Sequence, residues 1–378
     1  MGITPAGFTL AAFLTRRYFD GAQGSGIPQV IAARQIDSIA ARGRLVSVKL
    51  GLAKIGLLML GLASGASSGR EGPTVQVGAA AMFFLGRVEP HRQPGLLLAG
   101  SAAGIAAAFN APLAGIIFGI EEMSRSFEQR SSVLVLVLAA VIAAGLTSQA
   151  LLGDYTYFGL ASGSMAFGWG WLVVPVACLV GGLCGGLFSR LLILFADGLP
   201  GRAGALIARR PLAMAALCGL LVALCGVLSG STVFGTGYTQ SKLILAGSPM
   251  PWAFGPLKLI ATALSSISGI PGGIFSPSLA VGAGLGYDFS ALFPGVPVGV
   301  IAVLFMVAYL SGVVQAPLTS AVIVSEMTAD HALILPIMVC ALGATATSKL
   351  ICSEGIYHSL AHRLLGRMGP VTPTGART

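Results

Sequence analysis

One short motif occurs twice in this chain, and its surroundings repeat with it. The proline of Gly69-Arg70-Glu71-Gly72-Pro73 is followed 39 residues later by that of Ala111-Pro112-Leu113, and then by Glu121. The proline of Gly273-Ile274-Phe275-Ser276-Pro277 is followed 40 residues later by that of Ala316-Pro317-Leu318, and then by Glu326. In both copies seven residues separate the leucine from the glutamate. Both motifs predict an apolar helix starting at the proline, so one structural unit recurs after 204 residues (277 − 73). Gly- and Pro-interrupted apolar segments at matching places in two halves of a chain point to a site between the halves.

The surroundings of the motif are apolar. Hydrophobic residues make up 55% of the chain and charged residues 9%, against about 25% charged in an ordinary soluble domain. This predicts an all-α polytopic membrane protein. The 53 glycines fit that class, because small residues let membrane helices approach closely. Apolar segments fall at 5–15, 45–63, 74–86, 96–107, 109–121, 131–152, 171–196, 212–229, 252–267, 277–292, 297–313, 315–326 and 332–351. An upright span needs about 20 residues. Several of these segments are shorter, which predicts tilted and broken helices whose ends meet at a buried site.

The units divide the chain into 1–165, 166–352 and a C-terminal helix and tail, 353–378. The second unit has two apolar segments ahead of its motif where the first has a single short one. The expectation is a first unit truncated at its amino end, with residues 1–20 as the second half of a helix. The net charge of +9 sits mainly in loops. Arg34, Arg42 and Arg44, then Arg202, Arg209 and Arg210, then Arg363, Arg367 and Arg377 mark three cytoplasmic segments. The loop 153–170 lacks Lys and Arg and is placed outside, leading into the interface anchors Trp169 and Trp171. There is no basic stripe interleaved with aromatics, so no nucleic-acid partner is expected. Cys178, Cys184, Cys218, Cys225, Cys340 and Cys352 read as small packing residues. His91, His331, His358 and His362 have no metal-ligand spacing, and no cofactor is expected.

Three glycine-rich junctions carry the chemistry: Gly24-Ser25-Gly26-Ile27-Pro28 and the two repeated motifs. A helix start offers free N–H groups and the positive end of the helix dipole. Such ends bind anions without a full charge, so the ion can also leave. Glu71 puts a carboxylate where an anion would sit, while the second copy has Phe275. Acids inside a membrane protein are functional suspects; the alternative is an ion pair with Arg70. Glu121 and Glu122 end an apolar helix just before Arg125, either as a solvated, salt-bridged end or as a functional pair. Lys54, inside an apolar run, either snorkels to the surface or brings positive potential to an anion pathway.

These residues resemble the CLC family of chloride channels and chloride/proton antiporters, across essentially all 378 residues. The run Phe109-Asn110-Ala111-Pro112-Leu113-Ala114-Gly115 leading to Glu121-Glu122-Met123 adds to the resemblance. It implies a homodimer in a cell membrane, bacterial inner membrane by type. Each subunit would be an inverted repeat with one anion pathway, and chloride, protons and lipid would be its partners. It implies that Ser25 and Tyr357 offer hydroxyls to the anion, with backbone N–H groups of Ile274 and Phe275. Glu71 then matches the external gating glutamate, Glu122 the internal proton-transfer glutamate, and Lys54 the buried lysine. Serine at 25 favours chloride over nitrate, and Pro73 argues against the fluoride-exporting branch. Ser276 stands where alanine is common and Gln29 where an acid is common, and neither is expected to touch the anion ligands. The leading expectation is chloride/proton antiport through a glutamate gate. A passive chloride channel and a truncated, inactive member of the family are the alternatives. An intramembrane enzyme would need a nucleophile with its base, and Ser25 has no His or Lys beside it.

Overall fold

The structure, a computed structural model, describes residues 2–123, 131–153, 157–159, 165, 168–251, 253–328 and 332–368. Arg125, His331, Arg377 and most of the 153–170 loop lie outside the described residues. The first unit contains α1 (Ile3–Tyr18), α2 (Ile27–Arg34), α3 (Ile39–Gly43), α4 (Val48–Ala63), α5 (Glu71–Leu85), α6 (Gln93–Phe109), α7 (Pro112–Glu121) and α8 (Ser131–Leu152). Then come α9 (Val173–Asp197) and α10 (Gly201–Arg209). The second unit contains α11 (Pro211–Leu228), α12 (Tyr238–Leu245), α13 (Phe254–Ile267), α14 (Phe275–Phe289), α15 (Val298–Val314), α16 (Pro317–Thr328) and α17 (Ile334–Lys349). The last helix is α18 (Ile356–Arg367). Two isolated bridges are the only β pairing among the described residues.

The two series correspond helix by helix: α1 with α11, α2 with α12, and α4 to α8 with α13 to α17. The expected half-helix at the start is of nearly full length, since α1 has 16 residues and α11 has 18. Helices α2, α3, α10 and α12 fall outside the apolar segments read from sequence. Each is short, and α10 is amphipathic rather than apolar throughout.

Four described stretches are long and apolar enough to cross a bilayer: Ile39–Ala63, Ser132–Leu152, Trp169–Asp197 and Pro211–Leu228. Other apolar helices are shorter because the backbone is broken at matched places. Asn110 closes α6 and Gln315 closes α15, both in the left-handed conformation (φ 53° and 58°). Each is followed by Ala-Pro, and proline then opens the next helix, where its missing N–H costs nothing.

Helix α9 shows how the bilayer acts as solvent. Leu183, Leu187, Leu191 and Leu194 form an exposed stripe along it. Its opposite face is glycine and packs on α15 and α17. A Cβ on Gly185 would come within 2.7 Å of the Gly312 carbonyl carbon, so only glycine allows this approach. In consequence α15 is buried along its length from Gly299 to Val314.

One sequence expectation needs correcting. Helices α5 and α14 start at Glu71 and Phe275, two residues before their prolines. The first four N–H groups of a helix have no partner within it. A proline in the third position therefore removes no hydrogen bond, and the helix begins one half-turn earlier.

Candidate functional site

Backbone hydrogen bonds between the two units pull the glycine junctions together. Gly69 N–H donates to Gly273 O and Gly273 N–H donates to Gly69 O, each at 2.8 Å. Gly24 N–H donates to Ile270 O at 3.2 Å, and Gly272 N–H donates to Gly24 O at 3.0 Å. The starts of α2, α5 and α14 thus meet. The fit tolerates no side chain at Gly72, where a Cβ would overlap the Ser25 hydroxyl.

Lys54 does not snorkel. It is fully buried, and its Nζ donates to Ala22 O and Gly24 O, both at 2.7 Å. Its Nζ therefore sits directly behind the loop that ends in Ser25. Lys258 repeats the arrangement. It too is fully buried and donates to Val233 O and Gly235 O, both at 2.8 Å. Lys54 and Lys258 are 204 residues apart (258 − 54), the spacing of the repeated prolines. Gly235-Thr236-Gly237 is accordingly the second-unit counterpart of Gly24-Ser25-Gly26, a correspondence missed in the sequence reading.

Ser25 and Tyr357 face one cavity of about 320 Å³, which Ile274 also lines. Arg16, Arg363 and Arg367 lie on its wall as well. The Ser25 Oγ and Tyr357 hydroxyl are buried and lie close to each other, and neither makes a well-formed hydrogen bond among the described residues. Two such hydroxyls at one cavity are costly unless something else accepts from them. The Phe275 side chain lies behind this wall. Its ring stacks on that of Tyr357 with centroids 5.9 Å apart, and Phe109 and Phe118 meet it edge-on. Gln29 lines the same cavity, with its Nε2 donating to Gln23 O at 2.7 Å. It therefore borders the candidate anion ligands more closely than expected.

Glu71 is fully buried at the start of α14. The Ser276 hydroxyl donates to Oε1, and the Ser276 backbone N–H lies 3.4 Å from Oε2. A carboxylate at a helix N-terminus occupies a ready-made anion position. Arg70 turns elsewhere: its Nη2 donates to Ala108 O at 3.3 Å, and its guanidinium lies 5.9 Å from the centre of the Tyr157 ring. Ser276 thus touches the acid rather than the anion ligands.

Glu121 and Glu122 part company. Glu121 accepts from the N–H groups of Leu318 (3.0 Å) and Thr319 (2.5 Å) at the start of α16. Glu326 returns the contact, accepting from Leu113 (3.0 Å) and Ala114 (2.6 Å) at the start of α7. Each unit caps a helix of the other, so α7 and α16 lie antiparallel. Glu121 is half-buried and caps α16, while Arg125 lies outside the described residues. Glu122 turns inward, is 4% exposed, and places Oε1 3.3 Å from Nδ1 of His358. That pairing was missed, since nothing in the sequence connects the two residues.

Known proteins share the sequence pattern and fold of this chain. The profile of a family described as voltage gated chloride channel matches residues 7–349. The chain is 32% identical to the H(+)/Cl(-) exchange transporter ClcA of Klebsiella pneumoniae over 395 aligned positions, covering 97% of this chain and 80% of that protein. It resembles the crystal structure of a slow cyanobacterial Cl-/H+ antiporter with a TM-score of 0.81 and 25% identity, covering 97% of this chain and 87% of that one. A CLC-type fluoride/proton antiporter shares the fold, with a TM-score of 0.78 at 24% identity and coverage of 95% and 88%.

Proposed function

The chain belongs to the voltage-gated chloride channel family, and we propose that it exchanges chloride for protons across a cell membrane. The observation that carries this reading is the buried Glu71 carboxylate held at the N-terminus of α14. An acid in an anion's place makes the passage of one ion conditional on the other. Chloride enters through the cavity beside Arg16, Arg363 and Arg367. It is held by the Ser25 and Tyr357 hydroxyls and by N–H groups of Ile274 and Phe275, at positions without intrahelical acceptors. The Lys54 charge behind the Ser25 loop adds positive potential. Charged Glu71 competes with the next anion. Protonation removes that charge, the carboxyl leaves the helix start, and the anion moves on. Glu122 supplies the proton from the inner side.

The units are read as 1–165, 166–352 and 353–378. The protein works as a homodimer with one pathway per subunit, and the membrane is the inner membrane of a bacterial cell. Leu113 and Leu318, exposed on helices of only 10 and 12 residues, are the kind of apolar surface a second copy would cover.

Purified protein in liposomes tests the exchange. A chloride gradient is expected to drive protons uphill, read with a pH electrode beside a chloride electrode. Robust chloride flux without proton movement would assign a passive channel instead.

A further inference from the structure

The proton route on the inner side needs a donor to Glu122, and the structure offers one on α18. His358 is 7% exposed and its Nδ1 faces Glu122 Oε1 at 3.3 Å. One turn further along α18, His362 is exposed. Residues four apart share one helix face. The opposite face belongs to the anion cavity, which is lined by Ile356, Leu360, Leu364 and Arg367. His358 and His362 each stand two positions from a member of that set, roughly 200° around the helix. Helix α18 therefore separates two surfaces: anion ligands on one side, and a buried imidazole–carboxylate pair with an exposed imidazole on the other.

We propose that His358 is the proton-relay residue that loads Glu122, and that His362 passes protons to it from the aqueous side. The inference rests on the antiport reading above. Imidazole ordinarily gains and loses a proton near neutral pH and has two nitrogens on opposite edges. A proton arriving at Nε2 makes His358 an imidazolium. Its Nδ1 proton then passes to Glu122 Oε1, giving a neutral carboxyl and a neutral ring with the proton left on Nε2. Once Glu122 has passed its proton onward toward Glu71, rotation of the ring turns the remaining N–H to the freed carboxylate and resets the pair. One proton enters and one leaves, and no other reactant takes part.

Glu354, just ahead of α18, accepts from the Ser359 hydroxyl at 2.9 Å. Arg34 of α2 donates to Met123 O beside Glu122. Asp197 of α9 is bound to Arg363 at 2.6 Å, and α9 also carries Arg190. Glu121 is engaged by α16. Helix α15, which also packs on α18, carries no Asp, Glu, Lys, Arg or His.

The test compares wild type, His358→Gln, His362→Gln, Glu122→Gln and the His358→Gln/Glu122→Gln pair in liposomes. Proton and chloride fluxes are recorded together over a range of internal pH. For His358→Gln the protons moved per chloride should fall at least about tenfold, in line with loss of a positioned proton-transfer group. His362→Gln should lower the same ratio less and shift its dependence on internal pH. The pair should be no worse than Glu122→Gln alone. A wild type that pumps protons beside a His358→Gln variant with an unchanged ratio and pH profile overturns the relay and leaves antiport standing. A wild type that pumps none overturns antiport itself. Chloride and proton fluxes falling in equal proportion in His358→Gln would make the histidine structural and overturn the relay.

Discussion

Ser276→Ala is the smallest change that isolates the proposed gate. The serine contributes two groups to Glu71, a hydroxyl at Oε1 and a backbone N–H 3.4 Å from Oε2. Alanine removes only the first. A hydrogen bond to a charged group contributes about 1.5–3 kcal/mol. The hydroxyl holds the carboxylate at the helix start, so without it the carboxylate is held less tightly. At about 1.4 kcal/mol per factor of ten, that hold weakens roughly ten- to hundredfold. The site is closed to solvent, so little of this is lost to screening. The gate should therefore leave its place more readily, and chloride flux should rise. Efflux from liposomes measures it. The same substitution made in Glu71→Gln should change nothing, because no carboxylate remains to be held. An unchanged flux, or an equal rise in the Glu71→Gln background, would refute the reasoning.

Two further outcomes follow from the geometry. Removing both hydroxyls, Ser25→Ala with Tyr357→Phe, should weaken chloride binding at least about tenfold while backbone donors preserve some affinity; unchanged calorimetric binding would remove these residues from the site. Glu121→Ala and Glu326→Ala each strip two N–H groups of their acceptor across the unit boundary, and each should cost about 1–3 kcal/mol. The two ends are separate, so the losses should add. Detergent melting curves that match wild type would show that the caps hold nothing.

The membrane class, the two-fold repeat and the glycine junctions were legible because each is a local pattern. Apolar runs, prolines and glycines are read without knowing what lies opposite. The second counterpart of the Ser25 loop was hidden by a change in spacing. Gly26 precedes Lys54 by 28 residues, whereas Gly237 precedes Lys258 by 21, since α3 adds chain in the first unit only. A search at a fixed interval of 204 finds the lysine and misses its loop. The roles of Glu121 and Glu122 could not be separated from sequence for another reason. Adjacent helical residues point about 100° apart, so one meets α16 and the other α18, and only the packing says which. His358 gave no signal, because a lone histidine means nothing until its neighbour is known. The two-residue error at α5 and α14 came from treating proline as the mark of a first position, when the whole first turn accepts it.

The repeat also explains where the chemistry is concentrated. Pairs that serve the scaffold are kept in both units: Lys54 with Lys258, Asn110 with Gln315, and Glu121 with Glu326. Each pair makes the same kind of contact on its own side of the molecule. The pairs that break are those at the proposed pathway. Glu71 corresponds to Phe275, Gly72 to Ser276, and Glu122 to Met327. A second carboxylate at position 275 would face the same junction as Glu71, and two like charges so placed cannot both ionise freely. The pair would titrate as a unit, and a proton would no longer report on one gate. With Phe275 instead, the second unit contributes an aromatic wall for Tyr357, and Ser276 contributes the hydroxyl that holds the single acid. Met327 leaves the inner proton position to Glu122 alone. A symmetric scaffold gives the two ends of several half-helices one meeting point. Loss of symmetry at three positions then lets one acid act as gate and one as proton entry.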